Sequence, residues 1–199
     1  MAKASGGTRQ SAPARQQAAT EMGFSEQLER NVLERENTIR RDRKESLHAF
    51  DTAGNNEWSL QGTAKQVRIP YSMNINSDLI WTHNHPNERN WTGVRSIGVS
   101  LSVNDLETAV YYNASEMRAV TPTYTFAMKR PEKGWNASQH EVRREYNKAK
   151  KAVLNELRAY LNKQDWNQAA VDRANTIAAH LIARRVANHF GWIYTKKNS

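Results

Sequence analysis

Asp78-Leu79-Ile80-Trp81-Thr82-His83-Asn84-His85-Pro86 is the stretch that decides how this chain is read. Leu79 to Thr82 form a short apolar run of the length and composition of a buried strand. Pro86 ends it, because proline has no N–H to give to a ladder. Residues i and i+2 of an extended chain share a side, so His83 and His85 direct two imidazoles to one place at the strand's end. Taken alone, such a pair fits a structural or surface role as well.

The next informative segment is Ser102-Val103-Asn104-Asp105, at a helix start. On the first turn of a helix, positions i and i+3 share a face, so Ser102 and Asp105 are presented together. Alone, the same residues read as an N-terminal capping box. Beside His83 and His85, the Asp105 carboxylate completes a two-His, one-carboxylate set, which with an open fourth position is a catalytic zinc arrangement. Such a metal lowers the pKa of bound water from 15.7 to about 7. The water's proton needs an acceptor. Glu45, at the boundary between the first helix and the first strand, is the leading candidate, with Glu36 and Glu57 as competitors. The Ser102 hydroxyl is placed to donate to an oxyanion.

Working outward, residues 1–24 are rich in Ala, Ser, Gly and Gln without periodic apolar positions, and the expectation is a disordered arm. Leu28, Val32, Leu33 and Ile39 predict a helix from Ser25 to about Lys44. Glu45–Asp51 and Glu57–Gly62 flank a Gly/Asn turn and predict a β-hairpin. Lys65–Ile69 alternates and predicts a further strand, and Met117–Val120 with Thr123–Met128 predicts a second hairpin. Ser138-x-x-Glu141 caps a long helix to about Asn162. Asp165 is the expected cap of the next helix, whose apolar stripe over 170–190 ends at Gly191. Trp166, Phe190, Trp192 and Tyr194 read as helix-packing anchors. The expectation is an α+β fold in three parts: the arm 1–24, a metal-binding domain over 25–135, and a basic helical extension over 136–199.

Composition bounds the partners. The net charge is +9, and residues 141–199 carry 12 basic against 5 acidic side chains, while 45–140 carry 8 against 9. Arg143, Arg144, Lys148, Lys150 and Lys151 are the densest cluster, open to nucleic acid or another acidic partner or to the reading of a solvated helix face. With no cysteine there is no disulfide, thiolate metal site or cysteine nucleophile. No run of apolar residues is long enough for a membrane span. The first residues lack a secretory apolar core, so the expected location is cytoplasmic.

Glu45, His83-Asn84-His85-Pro86 and Ser102-x-x-Asp105, in that order, resemble the JAMM/MPN-type (JAB) metallopeptidases. The likeness is to the RadC-like branch, through Gly62-Thr63, Val67–Pro70 and Thr82–Pro86, and it covers roughly 44–131. It implies a cytidine-deaminase-like fold, a small mixed sheet flanked by helices, with zinc on His83, His85 and Asp105. It also implies Glu45 as base, Ser102 as oxyanion aid and a protein or peptide substrate. Similar domains occur in phage and mobile-element proteins. Positions 86–101, sixteen residues, separate His85 from Ser102, a longer spacer than the family's. Trp91 within it is a candidate substrate contact. Two other classes stay open: a nucleic-acid-associated protein or nuclease using the basic helices, and a non-catalytic phage-type assembly protein whose 170–190 stripe is an oligomer face.

Overall fold

The structure, a computed structural model, describes residues 12–64, 66–70, 72–73, 75–86 and 100–199. Among the described residues, four helices and six strands follow one another as α1 (Ala12–Ile39), β1 (Ser46–Phe50), β2 (Asn56–Gln61), β3 (Ile80–Asn84), α2 (Val103–Tyr111), β4 (Glu116–Val120), β5 (Tyr124–Lys129), α3 (Gln139–Lys163), α4 (Gln168–Phe190) and β6 (Ile193–Asn198). The strands form one sheet in the order β2-β1-β3-β4-β5-β6. All neighbouring pairs are antiparallel except β3–β4. A parallel pair needs a crossover, and α2 supplies it.

Alternation sorts the strands' side chains onto two faces. Leu47 and Ala49 of β1, Trp81 of β3, Met117 and Ala119 of β4 and Met128 of β5 join one core with Leu106 and Ala109 of α2. The same core takes in Val142, Ala149, Val153, Leu157 and Leu161 of α3 and Ala170, Ala174, Ala178, Ile182 and Val186 of α4. Residues 136–199 are therefore no appended extension: α3 and α4 cover this face and β6 completes the sheet. Much of the 170–190 stripe is spent in this packing, while Val171, Ile177, Leu181 and Phe190 remain partly exposed. Emptying one of the core positions, as in Leu157→Ala, leaves a cavity worth about 2–5 kcal/mol.

The opposite face is covered by α1 and is more polar. Its stripe is Val32, Glu36, Ile39 and Arg40, all buried. Thr82 Oγ1 donates to Glu36 at 3.1 Å. Arg118 of β4 lies 3.6 Å from Glu36 and pairs with Glu29 at 2.8 Å and Glu116 at 2.7 Å. Arg40 reaches the Thr121 carbonyl at 2.7 Å and Ser199 Oγ at 2.6 Å.

Several expectations are corrected. The first helix begins at Ala12 and ends at Ile39, not Ser25 to Lys44, so 12–24 are helical. Alanine, glutamine and arginine there are good helix formers, and Pro13 suits a first turn. Residues 66–69 are not a strand. Thr63 N–H bonds the Gln66 carbonyl at 3.0 Å, and a Cβ on Gly62 would sit 2.1 Å from that oxygen. The chain thus turns away from the sheet edge, and Val67 and Ile69 pack on the core from a loop. Asn167, not Asp165, caps α4, its side chain accepting from Ala170 N–H. Asp165 and Trp166 instead take positive φ in the turn, and Trp166 is exposed. Tyr194 lies on the unforeseen strand β6, where Lys196 and Lys197 stand next to each other on a sheet edge. None of the described helices is long and apolar enough to cross a membrane.

Candidate metal centre

The site lies at the C-terminal end of the parallel strands, where the β3–α2–β4 crossover begins. This is where open α/β sheets leave a crevice for ligands. His83 is the fourth residue of β3 and shares the face of Trp81. His85 continues the ladder, its N–H bonded to the Val120 carbonyl at 3.0 Å. Alternation therefore brings both imidazoles to one side, and their Nε2 atoms lie 2.8 Å apart.

Asp105 arrives from α2. Ser102 is the N-cap in extended conformation, with both halves of the capping box formed. Asp105 Oδ2 accepts from Ser102 N–H at 2.6 Å, and Ser102 Oγ accepts from Asp105 N–H at 3.3 Å. The capping and ligand readings of this segment hold together, because one carboxylate has two faces. Oδ1 lies 3.3 Å from His83 Nε2 and Oδ2 lies 3.8 Å from His85 Nε2. Although burial opposes ionisation, the two imidazoles and the Ser102 N–H hold the Asp105 carboxyl well below its usual range.

His83, His85 and Asp105 offer one donor atom each within 4.8 Å of one another, a group that could hold a metal ion. A tetrahedral ion with bonds of about 2.0–2.1 Å spaces its donors about 3.3 Å apart. The His83–Asp105 pair already has that spacing. The imidazole pair at 2.8 Å needs to open by only about half an ångström. The residues fit a small divalent ion with nitrogen and oxygen ligands.

Glu45 flanks this centre through the strand register. Leu47 pairs with His83, and Glu45 continues the β1–β2 ladder with its N–H on the Thr63 carbonyl and its carbonyl taking Gly62 N–H, both at 2.8 Å. Extending that register two residues, just past the ends of β1 and β3, would set Glu45 opposite His85 and on the same face. Of its competitors, Glu36 lies on the α1 face, and Glu57 is exposed on the edge strand β2.

Comparison of the chain with protein-family models, curated proteins and solved structures gives no match.

Asn84, between the two histidines, was missed in the sequence reading. It faces away from them and is fully buried. Its Oδ1 accepts from Ser46 N–H at 2.7 Å and Ser46 Oγ at 3.2 Å, and its Nδ2 donates to the Lys44 carbonyl at 3.0 Å. These bonds hold the residues on either side of Glu45. The signal was present: a polar residue facing away from the histidines on a buried strand needs partners of its own.

Trp91 lies outside the described residues. The basic cluster is on α3. Arg143 pairs with Glu107 of α2, and Lys148 lies 3.5 Å from Glu145. Arg144, Lys150 and Lys151 are exposed. Two of the five cations are thus matched by carboxylates of the same chain.

Proposed function

We propose that this chain is a metal-dependent hydrolase of the JAMM/MPN type, with zinc on His83, His85 and Asp105, that cleaves a peptide or isopeptide bond. The reading includes a cytidine-deaminase-like fold, for which the β3–α2–β4 crossover with the centre at its mouth is the supporting feature. One observation carries the proposal: two imidazoles and a carboxylate, separated by the 86–101 spacer, converge within 4.8 Å.

Zinc held there supplies Lewis acidity and an activated water near neutral pH. The chain's own residues do the rest. Asp105 is ionised before a ligand arrives, so it needs to lose no proton to bind one. Glu45 takes a proton beside the reacting carbonyl and hands it to the leaving amine. Ser102 accepts the Asp105 N–H through a lone pair, which leaves its O–H as a donor for the oxyanion.

Zinc content per chain tests the reading. Wild type is expected to hold about one zinc, and His83→Ala and Asp105→Ala none, as for any three-ligand site that loses a ligand. Glu45→Ala is expected to keep the zinc and lose hydrolysis of peptide and isopeptide substrates. Full hydrolysis by Glu45→Ala or His83→Ala defeats the mechanism. The nucleic-acid reading rests on α3, where only part of the cluster is unmatched, and it predicts a steep salt dependence of binding instead.

A further inference from the structure

The sheet face that carries His83 continues across three more strands. The register sets His83 beside Ala119, Ala119 beside Phe126, and Phe126 beside Lys196 on the edge strand β6. Directly opposed residues share a face, so these four side chains form one row.

At the end of the row the Lys196 ammonium is held over aromatic rings. Its Nζ lies 3.8 Å from the Tyr124 ring centroid and 5.9 Å from that of Phe126. His180 of α4 closes the other side, its ring 5.5 Å from Tyr194 and 6.5 Å from Phe126. His180 Nδ1 is 3.0 Å from Tyr194 OH, which is 2.7 Å from Ser100 Oγ. Arg184, one turn along α4 from His180, adds a second cation.

Lys196 differs from an ordinary solvated lysine in being half-buried with its ammonium over aromatic rings. Among the described residues, no carboxylate forms an ion pair with Lys196 or Arg184, so both charges are available to a ligand. The cluster is also partly open: Tyr124, His180 and Tyr194 are half-buried and Arg184 is exposed. Its electrostatics agree. Burial first, and then Lys196 and Arg184, hold His180 below its usual value, and burial pushes Tyr194 up to about 12. Two fixed cations thus stand beside a neutral imidazole and a neutral phenol that serve as hydrogen-bonding groups.

We propose that Lys196, Arg184 and His180 form a recognition site for an anionic group, a carboxylate or a phosphate. The site stands without the metal: Ala119 and Phe126, which separate it from His83 on the sheet, are fully buried, so it is a surface of its own.

The test is titration of the metal-free full chain, followed by the NMR signals of the His180 imidazole. The probes are inorganic phosphate, a hexapeptide with one aspartate, and the same peptide with asparagine. Saturable shifts with phosphate or the aspartyl peptide, but not the asparaginyl one, are expected. Lys196→Met and Lys196→Gln should each weaken binding at least about five-fold, as loss of a desolvated cation contact implies, and Lys148→Met should not. Shifts with phosphate alone assign the group as a phosphate. Absence of saturation with both anions, or unchanged binding in both Lys196 variants, overturns the proposal. No zinc is used, so failure here is distinct from failure of the metal assignment.

Discussion

Glu36→Gln is expected to stabilise the protein, and to do so more as the pH rises. Glu36 is fully buried on the α1 face. Its Oε1 accepts from Thr82 at 3.1 Å, while its Oε2 has no hydrogen-bond partner among the described residues. Arg118 stands 3.6 Å away but is already engaged by Glu29 and Glu116. Burial outweighs the attraction of Arg118, and the Glu36 carboxyl is raised from its ordinary value near 4.5. The folded state therefore binds the Glu36 proton more tightly than the unfolded chain. Above pH 4.5 the unfolded chain releases that proton first, so wild-type stability falls as pH rises and levels off above the folded-state value. Glutamine keeps the acceptor for Thr82 and has no charge to bury. The gap between variant and wild type should widen from pH 4.5 with a slope approaching about 1.4 kcal/mol per pH unit. Urea unfolding at a series of pH values measures it. A variant that is less stable than wild type at neutral pH, with a gap that grows with pH, would show that Glu36 is ionised and that Arg118 prevails, and would refute the reasoning.

Other substitutions follow from the same geometry. Asn84→Ala removes the partner of the buried Ser46 N–H and should cost about 2–4 kcal/mol in unfolding free energy, since each stranded buried group costs about 1–3. Gly54→Ala should destabilise more than Gly191→Ala. Both have positive φ, but a Cβ at Gly54 meets the Leu28 Cα at 2.9 Å whereas none of the described atoms lies within 4 Å of one at Gly191, so the second costs only the left-handed penalty of about 1–2 kcal/mol. Thermal melting of the two variants side by side decides it. His48 is buried against Ser59 Oγ at 2.7 Å, and burial lowers its pKa to about 4. The unfolded chain then takes up the His48 proton first, so stability from this group is lost as pH falls from 6.5 towards 4. NMR titration should find its midpoint near 4, and a midpoint near 6.5 would contradict the burial argument.

Much of this architecture could be read from the chain because its signals are local. The capping boxes at Ser102 and Ser138, the turn between β1 and β2, and the glycine that ends α4 each need only a few adjacent residues. The pair His83 and His85 was legible for the same reason, since alternation alone sets two imidazoles on one side. Asp105 could be joined to them only as a downstream carboxylate at a helix start, because no rule of spacing carries a carboxylate across 86–101. What was missed depends on contacts distant in sequence. Strand β6 forms because β5 offers it an edge some sixty residues away, and nothing within Ile193–Asn198 announces that. The alternation of 66–69 misled because apolar residues two apart can pack from a loop as well as from a ladder. Asn84 went unread, and Glu36 was read only as a competing base, for a related reason: a buried polar residue takes its meaning from its partners, and those lie 38 and 46 positions away.

The Asp105 carboxylate faces two imidazoles and also closes the first turn of α2. Occupancy of the centre and fraying of that helix are consequently one equilibrium. An ion that fixes the carboxylate slows the opening of the turn, and the hydrogen exchange of the amides at Asp105 and Leu106 becomes a gauge of how full the centre is. The exchange of a bond that touches no ligand would then be set by solution chemistry at the mouth of the sheet. The signal also has a route inward. Leu106 and Ala109, on the same helix, are fully buried in the core, so a tighter α2 is felt by the strands on either side of the crossover.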